Sequence, residues 1–194
     1  MNLADKLTAS RLLMAPLFFV VYIWGSSAGL PPLVTVIVLW SLFILIELSD
    51  LLDGVAARKM KTVSGFGKLF DPFADVFARL TYFVCFSYTG IMPLWIFIII
   101  IYREFGQLFL RQLLAEKGVA MGARPGGKTK AVFYMIAGAM SLVLWSFRSL
   151  EVLAGIDGFL SVFVFVLYCI AAALSVGSFL DYINQFRKIS SKRT

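Results

Sequence analysis

The chain has 194 residues, enough for one domain, and 60% of them are hydrophobic, well above the share in a soluble domain. It contains no histidine, and its two cysteines, Cys85 and Cys169, lie inside apolar runs, so imidazole chemistry, thiolate metal sites and a disulfide framework are excluded. The net charge of +7 is confined to alternate loops between apolar segments, which is a topology pattern and not a nucleic-acid footprint.

These features predict an all-α integral membrane protein: six transmembrane helices behind a short N-terminal interfacial amphipathic helix, in a single domain over 1–194. Residues 1–11 are too polar to span and read as the interfacial segment. No small-residue cleavage site followed by a soluble region marks a signal peptide. The first span is predicted over 12–24, and Gly25 to Pro32 forms a turn. The second runs from about Pro31 through Glu47 to about Lys59, and Glu47 falls three residues before Asp50, on its helical face. Lys59 to Lys68 is a basic turn that includes Ser64. The third span begins at Gly67 or Asp71 and ends at Tyr88; Gly90 and Pro93 separate it from the fourth, over 92–114. Within the fourth, Arg103, Gln107 and Arg111 share a face at i,i+4 steps. Arg103 reads either as an anion ligand or as the partner of Glu104, with Arg111 snorkelling. Residues 116–130 form the longest polar connection. Its Gly126-Gly127-Lys128-Thr129 lacks the first glycine and the preceding strand of a P-loop, although its lysines can still meet a phosphate at a helix start. The fifth span is predicted over 131–147 and the sixth over 159–180, before a basic tail with Arg187, Lys188, Lys192 and Arg193.

Four aspartates stand apart from this pattern. Asp50 and Asp53 are i,i+3; Asp71 and Asp75 are i,i+4; each pair shares a helix face. A charge at the bilayer centre costs about 2.5–3.5 kcal/mol, so such groups face a cavity or a partner. A hard divalent cation relieves both that cost and the mutual repulsion, because Mg²⁺ and Mn²⁺ prefer oxygen ligands. Asp71 before Pro72 also fits a helix cap with a first-turn proline, a reading that leaves Asp50, Asp53 and Asp75 unexplained.

The stretch carries D-x2-D-G-x2-A-R-x8-G-x3-D-x3-D in full, as Asp50, Asp53, Gly54, Ala57, Arg58, Gly67, Asp71 and Asp75. On these residues the chain resembles the CDP-alcohol phosphatidyltransferase family. The resemblance implies a CDP-diacylglycerol donor, release of CMP, and a homodimer. It implies Mg²⁺ or Mn²⁺, with two ions, held by Asp50, Asp53, Asp71 and Asp75, with Asp75 also the base. Gly54, Ala57 and Gly67 would let the nucleotide approach the backbone, Arg58 would pair with a phosphate, and Ser64 would touch the diphosphate or remain a loop serine. The family's opening N-x-x-T-x-x-R is met by Asp5, Thr8 and Arg11, with aspartate in place of asparagine; these either contact the donor or serve capping and anchoring.

Arg103-Glu104, Arg111-x5-Lys117-Gly118-Val119 and Gly127-Lys128-x-Lys130 resemble the branch that uses glycerol 3-phosphate. That likeness implies a phosphate site from Arg103, Arg111, Lys128 and Lys130. Val76 follows Asp75 where the branch commonly has lysine, so another phosphorylated alcohol such as inositol phosphate stays open. From a different class, a cation transporter could use the aspartates, but transporters place ion sites near the midplane between repeats, and no repeat is evident here.

The two ends, the 58–68 turn and the 111–130 connection hold 15 of the 18 lysines and arginines. The positive-inside rule therefore predicts a multi-pass protein of the cytoplasmic membrane with both termini and the aspartates on the cytoplasmic side. Trp24, Trp95 and Trp145 fall at the predicted outer ends, as an interfacial belt would.

Overall fold

The computed structural model describes residues 3–60, 67–116, 125–152 and 155–191, with side chains described for 8–51, 70–116, 129–152 and 155–189. The elements are α1 (Leu3–Trp24), α2 (Pro32–Met60), α3 (Gly67–Tyr88), α4 (Leu94–Glu116), α5 (Pro125–Ser149) and α6 (Asp157–Ser191). No strand occurs among the described residues. Helices α2 and α5 open on Pro32 and Pro125, where the missing N–H is no loss. The turns after α1 and α3 pass through Gly29 (φ 78°) and Gly90 (φ 74°), left-handed conformations that a side chain disfavours.

Three boundaries differ from expectation, and a fourth falls at the earlier of its two expected positions. The segment expected as a separate interfacial helix is the opening of α1, continuous from Leu3 to Trp24. Its polar residues Thr8 and Arg11 are buried in the protein, so they turn inward and do not face headgroups. Helix α3 starts at Gly67, which puts Asp71 in its second turn and removes the capping reading. Helix α5 starts six residues early, taking in Gly126 to Thr129. Helix α6 reaches Ser191, so the first part of the basic tail is helical. Its 35 residues span about 52 Å, well beyond a hydrocarbon core of about 30 Å.

The helices alternate in direction. Thr8 near the start of α1 meets Asp71 near the start of α3, and Tyr22 near the end of α1 meets Thr89 just after α3. Lys130 near the start of α5 meets Glu104 on α4, and Arg148 near the end of α5 meets Asp157 at the start of α6. The starts of α1, α3 and α5 and the ends of α2, α4 and α6 thus share one end of the bundle.

Helix α3 is the hub of an aromatic core. Its Tyr82 ring packs on Phe43 of α2 at 5.3 Å, and Phe83 packs on Tyr134 of α5 and Tyr168 of α6 at 5.4 and 5.7 Å. Phe86 meets Phe18 and Tyr22 of α1 edge to face. Outside, the bundle is coated with exposed Leu13, Leu17, Leu33, Ile37, Phe109 and Phe159 among others. So extensive an apolar exterior needs lipid around it. Among the described residues, three helices contain stretches long and apolar enough to cross a bilayer: Pro32–Leu51, Thr129–Ser149 and Asp157–Ile189.

Candidate active site

At the polar end, α1, α2 and α3 bring three signature carboxylates together. Asp50 stands on α2, and Asp71 and Asp75 on α3. Thr8 Oγ1 donates to Asp71 Oδ1 at 2.7 Å. The Arg11 guanidinium pairs with Asp75 and lies 3.4 Å from Asp50 Oδ1. Arg79 Nη2 donates to the other Asp50 oxygen at 2.7 Å. Arg11 is 1% exposed, whereas the side chains of Asp50 and Asp75 are 34% and 27% exposed. The cations are thus sunk in protein while the carboxylates open outward. They line a recess with Ile46, Glu47 and Ala78.

Behind it, Tyr82 donates to Glu47 Oε1 at 3.0 Å. Helical spacing explains the grouping on α3. Asp71, Asp75, Arg79 and Tyr82 recur at steps of four and three, so one stripe faces α1 and α2. Thr8 and Arg11 are three apart on α1, and Glu47 and Asp50 three apart on α2.

The side chains of Asp5, Asp53, Gly54, Ala57, Arg58, Gly67 and Lys128 lie outside the described residues, as does Ser64 altogether. Backbone position alone puts Asp53 one turn after Asp50, on the same face of α2. Among the described residues no three acidic groups stand close enough to share one ion. The Arg11 guanidinium stands between Asp50 and Asp75.

A second charged layer lies between α4, α5 and α6. Glu104 accepts from Arg103 at 2.9 Å and from Lys130 at 2.6 Å. Arg103 also donates to the Ser175 carbonyl at 3.2 Å and to Ser178 Oγ at 2.9 Å. Lys130 sits 4.8 Å above the Tyr134 ring, and Tyr134 shares a 2.6 Å hydrogen bond with Ser175. Arg103, Glu104 and Lys130 are all buried. The structure therefore brings Arg103 and Lys130 together, but through Glu104, as the structural-pair alternative anticipates. Arg111 lies two turns further along α4. Two cations against one carboxylate leave the layer net positive.

Sequence reasoning assigned no part to Arg79, Tyr82, Ser175 or Ser178. Arg79 was detectable as a cation one turn beyond Asp75, inside an apolar segment. The serines carry no such signal, because small hydroxyl residues are ordinary in membrane helices.

The family model described as CDP-alcohol phosphatidyltransferase matches residues 1–177, which include every described residue of the carboxylate layer. The chain belongs to the CDP-alcohol phosphatidyltransferase family. This phosphatidyltransferase is 37% identical over 195 residues to a CDP-diacylglycerol–glycerol-3-phosphate 3-phosphatidyltransferase of Treponema pallidum (strain Nichols). That match covers 96% of the chain and 89% of the relative. Proteins of the same name from Bacillus subtilis (strain 168) and Mycoplasma genitalium are 36% identical over 149 residues and 33% identical over 142. They cover 70% and 73% of this phosphatidyltransferase, and 74% and 60% of their own lengths. It is a transferase of phospholipid biosynthesis.

Proposed function

We propose that this protein transfers the phosphatidyl group of CDP-diacylglycerol to glycerol 3-phosphate with release of CMP, as a phosphatidylglycerophosphate synthase. The observation that carries the reading is the convergence of Asp50 and Asp75 at one recess, with Asp71 tied to the same cluster through Thr8, in a bundle that also buries a layer with excess positive charge. The names of the relatives support the same acceptor.

The donor set fits Mg²⁺ or Mn²⁺, being carboxylate oxygens alone, partly open to one recess. Asp50, Asp53, Asp71 and Asp75 would hold two such ions. When bound, they would neutralise the diphosphate and the charge developing on departing CMP. Arg58 and Ser64 bind donor phosphate oxygens, and Gly54, Ala57 and Gly67 leave room for the nucleotide. Asp5 and Thr8 close the donor site from α1. Asp75 takes the proton of an acceptor hydroxyl. The freed oxygen attacks the phosphorus nearest the lipid; its bond to the CMP oxygen breaks, and CMP leaves with the electron pair. Arg103, Arg111, Lys128 and Lys130 bind the acceptor phosphate.

All six helices cross the bilayer in this reading, including α1, α3 and α4, whose polar faces turn into the bundle. Both termini and the recess face the cytoplasm, and the protein works as the homodimer that its family implies. The test is CMP release from CDP-diacylglycerol by purified protein with Mg²⁺ or Mn²⁺ and a panel of acceptors. Release with glycerol 3-phosphate, abolished by EDTA and restored by the metal, is expected. Release with inositol 1-phosphate alone would reassign the acceptor. Release with serine, choline or free inositol alone would remove the phosphate-binding role of the cations. No release with any acceptor, alongside metal uptake into vesicles, would overturn the transferase reading.

A further inference from the structure

Beyond the Arg103–Glu104–Lys130 layer, the seam between α4 and α6 continues toward the polar end of the bundle. Its register is set at two points. Arg103 bonds Ser175 and Ser178, and a Cβ on Gly106 would lie 2.8 Å from the Phe179 ring. Rising numbers on α4 meet rising numbers on α6, so these helices run parallel. Steps of three and four carry the α4 face from Arg103 to Gln107 and Arg111, and the α6 face from Ser178 to Tyr182 and Gln185. Gln107 and Tyr182 then share one level, and Arg111 and Gln185 the next.

Gln107 Oε1, Arg111 Nε, Tyr182 Oη and Gln185 Nε2 are all buried and have no hydrogen-bond partner. Tyr182 is only 5% exposed. A buried polar atom left unpaired is destabilising. Four on one seam, among the described residues, leave room for a bound ligand to supply the missing partners.

Their chemistry describes that partner. Arg111 Nε and Gln185 Nε2 donate, which suits phosphate oxygens. Gln107 Oε1 only accepts, and a dianionic phosphate has no proton to give it. Its partner must be a hydrogen-bond donor, which a hydroxyl on the same ligand supplies. Tyr182 can serve on either side. We propose that the α4–α6 seam reads a phosphorylated polyol, and that Gln107, Tyr182 and Gln185 set specificity by binding a hydroxyl other than the attacking one. This rests on the acceptor reading above and extends it to residues that the Arg/Lys set does not include. The same chemistry is present in a soluble polyol phosphate and in a phosphorylated lipid headgroup; we assign the soluble acceptor.

The test uses Gln107→Leu, Tyr182→Phe and Gln185→Leu in the full-length protein. Acceptor kinetics are measured with glycerol 3-phosphate and with 3-hydroxypropyl phosphate, which keeps the primary hydroxyl and the phosphate but lacks the secondary hydroxyl. The native protein should prefer glycerol 3-phosphate. Gln107→Leu should raise its KM about tenfold, cut that preference about tenfold, and leave the donor KM unchanged. Because each variant deletes an unpaired buried polar atom, Tm without ligand should hold or rise. A fall in Tm with unchanged acceptor KM would make these groups structural and overturn the proposal. Unchanged acceptor KM with weakened inhibition by the phosphorylated lipid product would give the seam to a headgroup instead, and overturn it equally. If the native protein does not use glycerol 3-phosphate at all, the acceptor reading itself has failed. If it does and the variants keep their KM and preference, only this inference has.

Discussion

Asp75 is asked to do two things with one carboxylate. It neutralises the buried Arg11 guanidinium, and in the proposed reaction it takes a proton from the acceptor. For Asp75 to accept that proton, Arg11 would have to turn to another partner. Arg11 has somewhere to go, because Asp50 is its second partner and Thr8 Oγ1 lies 3.4 Å from its other terminal nitrogen. Asparagine at position 75 keeps the shape and loses the basicity. Asp75→Asn should therefore lower turnover by about 10²–10⁴-fold and still be stabilised against heat by CDP-diacylglycerol. Near-native turnover would remove Asp75 as the base. Lys128→Ala should raise the glycerol 3-phosphate KM more than the donor KM; an unchanged acceptor KM would take Lys128 out of the phosphate site.

Between helices, the site depends on how closely α5 approaches α2 and α3. A Cβ on Gly138 would lie 3.2 Å from both the Phe43 and Tyr82 rings. Those rings stand directly behind the Glu47–Tyr82 hydrogen bond. Gly138→Leu should cost about 1–3 kcal/mol by overpacking, seen as a lowered unfolding midpoint in detergent. Gly177→Leu is the control, since a Cβ there meets nothing within 4 Å and should leave the midpoint close to native. Equal midpoints would mean that the α2–α3–α5 contact is loose. This is also the scale at which the sequence was least legible. Asp50, Asp71 and Asp75 were readable because steps of three and four show a shared face without knowledge of any neighbour. The pairing of Arg11 with two of them was not, because those partners lie 39 and 64 residues away and only packing of α1 against α2 and α3 brings them together. The early start of α5 had a local signal in Pro125, overridden by the two glycines that follow it. Likewise, Arg103 and Lys130 were readable as cations, but their common partner Glu104 makes sense of them only once α4 and α5 are side by side.

For the whole molecule, charge and apolar surface have to give one topology. The carboxylate layer, Lys130 and the basic end of α6 all lie at one end of the alternating bundle, while the Arg148–Asp157 pair closes the other. If that end is cytoplasmic, the 35-residue α6 crosses the bilayer and projects its last turns into the cytosol. Single cysteines test this in a background where Cys85 and Cys169 are replaced by alanine. Val152→Cys reports the turn between α5 and α6, and Arg187→Cys the last turns of α6; both native side chains are exposed. A membrane-impermeant maleimide should label Arg187→Cys only in inside-out vesicles and Val152→Cys only in right-side-out ones. The vesicles whose Arg187→Cys reacts should also be those that convert externally added glycerol 3-phosphate, because the recess and the basic end of α6 share a side. Labelling of both positions from one side would mean that α6 does not cross. Opposite-side labelling with turnover in the other vesicles would invert the whole bundle, placing the carboxylates outside and overturning the cytoplasmic assignment drawn from the distribution of lysine and arginine.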